Sequence, residues 1–463
     1  MVSYKRPLLA LTALVFAVGA CSSSATPGAS VLGVSAAPSV AATTSAGASA
    51  TELASASAAA TQAAASLGHI GGSVTVYGTW SGDEQDSFLA MVKPFEDATG
   101  VQVQYTSTRD INAQLSQGIQ TGTLPDLAGL PGPGQMAEYA QAGKLIDLST
   151  VLDVNSYKAN TASNFVDLGT VNGKLVGVFI KLSVKGLIWY DPNVVGDLSS
   201  SAPKTWDDLT NLINQDKGKA QSPWCVGLEG GASSGWPGTD WIEDFVLRTA
   251  GPDVYKSWYE GKTKWTDPAI KSAWQQFGQV IANSYGGSNY ILATNFANGG
   301  DKLFATPPGC LFHHQASFIT GLGAFTKLKA GTDYNFFPFP DINSQYSGAL
   351  EGAGDLFGMF HNTPQAAALI NYLTTAQAQQ IWVDRGGALS ANKQVTKYPD
   401  DISSRSAQML LNAKIFVFDA SDNMPTDMNA AFWSSILDYV KNPSSLDSIL
   451  SHLDQVQASS YQQ

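Results

Sequence analysis

From Ser73 onward the chain alternates short β-branched runs with amphipathic stretches, and this spacing restricts the possible folds more than any other feature. Ser73 to Tyr77 predicts a strand, Glu84 to Ala98 a helix kinked or restarted near Pro94, and Val101 to Thr106 a second strand with period-two alternation. Asp110 to Gln120 predicts the next helix. Gly122 to Leu130 holds a turn and a short buried strand, and Gln135 to Ala142 is helical until Gly143 ends it. Strand and helix alternating at this spacing imply βαβ units and a mainly parallel sheet. Ligands of such sheets bind beyond the carboxyl ends of the strands. The loops Gly78 to Asp83, Ser107 to Asp110 and Leu130 to Gly134, with Pro131 in the last, are therefore the candidate ligand loops.

Ahead of this region, Lys5 and Arg6 precede an apolar run from Leu8 to Val18 that closes on Val18-Gly19-Ala20-Cys21. The run is shorter than the roughly 17 apolar residues that span a bilayer. It resembles a bacterial lipoprotein signal, in which 1–20 are removed and Cys21 becomes the lipid-bearing N-terminus; a plain signal peptide and a spanning helix are the alternatives. Residues 21–72 are rich in Ala, Ser, Thr and Gly, and between Ser22 and Gly72 only Glu52 is formally charged. Such a segment buries too little apolar surface to order itself and reads as a flexible, lipid-anchored linker. Ala50 to Leu67 has enough alanine for partial helix, with no apolar stripe to dock it. The expected location is extracytoplasmic, with the membrane reached only through the N-terminal lipid.

A formal net charge of −12 and a pI near 4.8 leave no basic footprint for nucleic acid. The remaining length of about 390 residues suits two lobes. Eleven Trp, 16 Tyr and 20 Phe either fill cores or line a groove that stacks flat ligand faces. With Cys21 assigned to lipid, Cys225 and Cys310 are the single possible pair in an oxidising compartment, free thiols being the alternative. Their bond closes a loop of about 85 residues and is worth about 4–5 kcal/mol in the chain-entropy picture. Five histidines show no metal-ligand spacing, and neither H-E-x-x-H nor a P-loop occurs.

Several segments resemble the family 1 extracellular solute-binding proteins, the capture components of ATP-driven sugar importers. They are GGSVTVYGTWSGDEQDSFLAMVKPFEDATGVQVQY, LPDLAGLPGPGQMAEYAQAGKLIDL, GVFIKLSVKGLIWYDPNVV, PKTWDDLTNLI and EGAGDLFGMFHNTPQAAALINYLTTAQAQQIWVDRGGALSAN. PWCVGLEGGASSGWPGTDWIEDFVLRTAGPDVY and LFATPPGCLFHHQASFI are most similar to the alpha-glucoside-binding branch. The resemblance implies an α/β, two-lobe periplasmic-binding-protein-like (type II) fold with interlobe hinge crossovers and a ligand cleft. Lobe 1 would take 73–182 and 352–398, and lobe 2 183–351 and 399–457. Cys225 and Cys310 then share a lobe, leaving the hinge free to move.

A sugar site needs aromatic faces for pyranose C–H surfaces and charged or amide groups for hydroxyls. Trp80 follows the first strand. Arg109 and Asp110 follow the second, and read either as a hydroxyl fork or as a solvated helix start with Asp110 as N-cap. Trp236, Asp240 and Trp241 lie in one turn-rich segment, where packing is the alternative. His314 and Gln315 match the family's ligand-facing turn, although the family often has arginine after the histidine; His313 reads as structural. Glu351 and Asp355 flank a Gly-rich second crossover, with Asp355 the preferred ligand carboxylate. Lys181 and Tyr190 mark the first crossover, as ligand contacts or hinge residues, and Trp433 walls the cleft or fills an amphipathic core. The resemblance implies capture of an alpha-glucoside or short oligosaccharide by a monomer and delivery to ABC permease subunits, without catalytic residue, cofactor, metal or nucleic acid. The rivals are a secreted glycoside hydrolase using Asp240 and Asp355, whose carboxylates would stand about 5–10 Å apart, and a sugar sensor or adhesion module using the same cleft.

Overall fold

The computed structural model describes residues 49–461 except Pro131, so the signal-like segment, Cys21 and Pro131 lie outside the described residues. In chain order the strands are β1 (Ser73–Gly78), β2 (Gln102–Ser107), β3 (Leu127–Leu130), β4 (Thr170–Val171), β5 (Lys174–Leu175) and β6 (Gly177–Val184). They continue with β7 (Leu187–Tyr190), β8 (Ser222–Cys225), β9 (Cys310–Gln315), β10 (Asn335–Pro338), β11 (Ala349–Met359) and β12 (Ile415–Phe418). β4 and β5 form a small hairpin, and the others make two sheets.

In the first sheet β1 lies between β2 and β3 and runs parallel to both, as the alternation predicts. The completed sheet is mixed rather than mainly parallel, because β6 leaves it, the second sheet forms, and β11 returns antiparallel to both β3 and β6. One edge of β11 takes β12 along Ala349–Gly352 and β3 along Leu356–Met359; the other takes β6. The second sheet has the order β10-β7-β9-β8. Every residue of β3, β6 and β7 is buried, the pattern of strands covered on both faces. Cys225 at the end of β8 and Cys310 at the start of β9 are joined, with Cα atoms 5.5 Å apart, so the expected disulfide staples neighbouring strands of the second sheet.

Two local expectations are corrected. Asp83–Thr99 is one helix that runs through Pro94 without restarting. An interior proline costs about 3 kcal/mol, but Phe88, Met91, Val92 and Phe95 on this helix are fully buried, and each large apolar side chain contributes about 1.5–3 kcal/mol. Packing therefore outweighs the break. Ala50–Ala65 is also a docked helix rather than part of an unattached linker. It starts at a capping box made by Ser49 and Glu52 and lies against the helices Asp83–Thr99 and Ala376–Arg385. Leu53, Ala56, Ala60, Ala63, Ala64 and Leu67 form its inward stripe, and Ala60 and Ala64 are fully buried. A stripe does exist at helical spacing. Being mostly alanine, it cannot be told by composition from the exposed alanines beside it, and small side chains let the helices approach closely.

The ends of β1 and β2 and the crossover pair β6/β11 open on the space between the sheets.

Candidate functional site

A cavity of about 420 Å³ occupies that space. From the first sheet come Trp80, two residues past β1, and Glu84 on the helix that follows. Arg109, Asp110 and Asn112 follow β2. The crossover pair supplies the floor, with Lys181 and Ser183 on β6, Lys185 just beyond it, and Ala353, Gly354 and Asp355 on β11. From the far side come Trp236 and Asp240 on the helix Trp236–Ala250, Phe296, Phe318, Asp419, Asp422 and Trp433.

Backbone geometry sets these positions. Gly235, with φ of 109°, turns the chain into the helix that carries Trp236, and any side chain there would collide with the Trp433 carbonyl. Gly186, with φ of 66°, turns the chain directly after Lys185, and a Cβ at this point would meet the Asp244 carboxylate at 2.6 Å.

The charges are paired. Lys181 Nζ lies 2.5 Å from Glu84 Oε1 and 3.8 Å from Asp355 Oδ2, while the Trp80 indole N–H donates to Asp355 Oδ2 at 3.3 Å. Lys185 Nζ bridges Asp240 Oδ2 at 2.8 Å and Asp419 Oδ2 at 2.9 Å, and stands 4.8 Å from the centre of the Trp236 ring. Burial opposes the Lys185 charge, yet Asp240 and Asp419 hold its pKa well above the ordinary lysine value. Asp419 stays low: burial works against its charge, but Lys185 and the Asp422 N–H and Ser421 hydroxyl donors prevail. Asp240 is pushed up to about 7, chiefly by burial, with Lys185 pulling the other way. Lys185 and Asp419 are thus the ion pair, and Asp240 is the acid that yields. Asp240, Glu243 and Asp419 stand close enough to suggest a cation site. The Lys185 ammonium already lies between two of them, and Glu243 accepts from the Ala420 N–H at 2.7 Å and the Tyr255 hydroxyl at 3.2 Å.

Of the residues singled out in the sequence, Trp80, Arg109, Asp110, Lys181, Trp236, Asp240, Asp355 and Trp433 line the cavity. Asp110 occupies the N-cap position of the helix Ile111–Thr121 but its side chain makes no capping bond. Arg109 reaches across the cleft, its guanidinium carbon 4.8 Å from the Phe296 ring centre. Tyr190, Trp241, His314, Gln315 and Glu351 are not on the cavity wall. Trp241 sits one helical step, about 100°, from Asp240, so it enters the core against Trp224 and the His314 ring. His314 Nε2 bonds Asp244 Oδ2 at 2.7 Å, and burial lowers its pKa. Gln315 Oε1 accepts from the Ala316 N–H, and the Tyr190 hydroxyl accepts from the Leu198 N–H. His313 is structural as expected, its Nδ1 bonded to the Cys225 carbonyl. Sequence reasoning missed Glu84, Ser183, Lys185, Phe296, Phe318, Asp419 and Asp422. A signal existed for two of these, since Lys181, Ser183 and Lys185 recur at period two in a segment read as a crossover. None marks Asp419.

A cleft between two α/β lobes joined by crossover strands, walled by aromatic rings and floored by ion pairs, defines a two-lobed ligand-binding protein. The chain belongs to the bacterial extracellular solute-binding proteins, whose family description matches residues 90–409. It is 34% identical over 374 residues to the osmoprotective compounds-binding protein GgtB of Synechocystis sp., spanning 79% of this chain and 88% of the relative. It is 35% identical over 393 residues to the alpha-glucosides-binding periplasmic protein AglE of Rhizobium meliloti, spanning 81% and 85%. Among solved structures, a chitin oligosaccharide binding protein superposes with a TM-score of 0.72 at 19% identity, over 84% of this chain and 98% of that one. RafE in complex with raffinose gives 0.66 at 18%, over 84% and 99%. These two likenesses establish the two-lobe fold. Among the described residues no helix is long and apolar enough to cross a membrane.

Glu351 lies behind the cleft with both carboxylate oxygens buried and without hydrogen-bond partners among the described residues. Burial, with Glu243 and Asp244 nearby, raises its pKa well above the ordinary 4.5. An acid raised on folding holds its proton in the native state, so its contribution is complete below the unfolded pKa and is lost as pH climbs from there. In Glu351→Gln that loss disappears. The melting temperature of the variant should gain on the parent progressively as pH rises above about 4.5; a constant difference from acid to neutral pH would show that Glu351 does not titrate in this way.

Proposed function

We propose that this protein captures a carbohydrate of the alpha-glucoside or short-oligosaccharide class in its cleft and presents it to ABC permease subunits, working as a monomer. The observation that carries this reading is the meeting, in one cavity, of the partly exposed Trp236 and Trp433 indoles with the Lys181 and Lys185 carboxylate pairs. A pyranose stacks its C–H face on such a ring. Its hydroxyls both donate and accept, so they match carboxylate lone pairs and ammonium protons that would cost free energy if buried without partners. Acidic side chains outnumber basic ones seven to three along the lining, which disfavours phosphorylated or uronic ligands. The alpha-glucoside class is favoured by AglE, named for alpha-glucosides.

The hydrolase reading has less support. Asp240 and Asp355 are each tied to a lysine, which suits hydroxyl recognition better than proton transfer. Gly231-Ala232-Ser233-Ser234-Gly235 has the letters of a nucleophile elbow, but the Ser233 hydroxyl donates to the Gly230 carbonyl in a short 3-10 turn rather than to an imidazole. Thermal-shift measurements on the full chain with maltose, trehalose, sucrose and beta-linked disaccharides, with product analysis, test the reading. A native-state ligand at 100 times its Kd adds about 2.7 kcal/mol, so an alpha-linked sugar should raise the melting temperature and be recovered intact. Cleaved sugar would favour the hydrolase, and no shift with any carbohydrate would remove the ligand class.

The anchor reading rests on the apolar run ending in Cys21. Cys21→Ala should move the protein from the membrane fraction to the soluble extracytoplasmic one; retention at the membrane would contradict lipid attachment at that residue.

A further inference from the structure

Beside the ligand cavity lies a second, far smaller one of about 10 Å³, at the lower limit of the space that holds one water molecule, about 10–15 Å³. It sits where three helices meet. Asn112 comes from Ile111–Thr121 after β2, Gln135 from Pro133–Gln141 after β3, and Asn429 and Trp433 from Thr426–Lys441. Asn429 and Trp433 are four residues apart and share one face of their helix. Gly132 and Gly134 let the chain close this seam, because a Cβ at the first would collide with the backbone of Asp422 and at the second with that of Met424.

Each of the four residues leaves one polar atom buried and without a hydrogen-bond partner among the described residues: Asn112 Oδ1, Gln135 Oε1, Asn429 Oδ1 and Trp433 Nε1. Gln135 is 6% exposed and Asn429 8%, so bulk solvent does not supply the missing bonds. The Gln135 amide is oriented by its other end, which donates to the Tyr139 hydroxyl at 3.3 Å. Orphaned polar atoms around one cavity are costly unless an occupant bonds them.

The chemistry selects the occupant. Three oxygens and one N–H need a partner that both donates and accepts. A water does so: it accepts from the indole, donates to two oxygens, and takes its fourth bond from whichever asparagine amide turns its NH2 inward. A metal ion fits the oxygens but would face the partial positive charge of the indole N–H. Among the described residues the wall carries one carboxyl, Asp422. Burial and Asp419 push its pKa well above the ordinary carboxylate range, with Lys185 opposing, and a protonated acid is a poor ligand for a cation.

We propose that this cavity is a binding site for a single structural water held by Asn112, Gln135, Asn429 and Trp433. Trp433 also lines the ligand cavity. Bonding its N–H to the water behind turns the polar edge of the indole away from the cleft and leaves ring carbons facing it. Gln135 and Asn429 are then positioning residues for Trp433, acting through the water. The site goes beyond carbohydrate capture and does not depend on it.

A high-resolution crystal structure of the full chain, grown without divalent cations, tests the site directly. One density peak should lie about 2.7–3.2 Å from Trp433 Nε1 and from at least two of the three oxygens. Contacts of about 2.3–2.6 Å to the oxygens alone would mark a cation and overturn the water. Side chains bonded to one another with nothing between them would remove the site. In solution, nitrogen-labelled tryptophan gives an indole N–H resonance for Trp433, identified by its loss in Trp433→Phe. That resonance should move in both Gln135→Met and Asn429→Ser. Combining Gln135→Met with Trp433→Phe should lower the melting temperature by less than the sum of the single losses, because the two residues share one partner. An unmoved resonance or additive losses would overturn the positioning role, and the crystal structure decides the site even where a variant folds poorly.

Discussion

The Lys185 ammonium is the point on which the cleft depends. It is buried, and a buried charge is tolerated only when it is paired and hydrogen-bonded. Its partners come from distant parts of the sequence: Asp240 from the helix Trp236–Ala250 and Asp419 from the turn after β12. The backbone of Lys185 is itself bonded to Glu351 on β11. One charge therefore ties the crossover pair to the far wall of the cavity. Removing Lys185 would leave the buried Asp419 carboxylate without its counter-ion, at a cost of about 3–5 kcal/mol, a large share of a typical domain's total stability.

The same arrangement builds the floor of the cavity. β6 and β11 run antiparallel across the space between the sheets, so both crossovers are held in one ladder. Arg109 from the first sheet meets Phe296 from the other side of the cleft, a contact made only when the walls are close. The Cys225–Cys310 bond joins strands within the second sheet and places no constraint on the crossover ladder. A ligand that touches both walls would favour the approached arrangement by its differential contacts.

Much of this was legible in the chain, and the failures have physical causes. The parallel core of β1, β2 and β3 followed from hydrophobic period alone, and of the three loops expected at its carboxyl ends those after β1 and β2 reach the cavity, whereas Gly132 and Gly134 after β3 pack against the backbone of Asp422 and Met424. Trp80, Arg109 and Asp110 were found in that way. The antiparallel sense of β11's return was not legible, because pairing across 168 to 232 residues leaves no local signature. Trp241 and His314 misled for a different reason: neither an aromatic one helical step from Asp240 nor an imidazole on the wholly buried strand β9 shows in sequence whether it faces the ligand or the core. Asp419 could not be found because its partner, Lys185, is more than 200 positions away. The Ala60 and Ala64 stripe was hidden by alanines on every side of its helix.

The most direct test is a crystal structure of the full chain with a bound disaccharide. The account predicts ring hydroxyls within hydrogen-bonding distance of both the Lys181–Glu84–Asp355 group and the Lys185–Asp240–Asp419 group, with a pyranose face against Trp236. A disaccharide bound to one wall alone, or outside the cleft with Lys185 untouched, would contradict it.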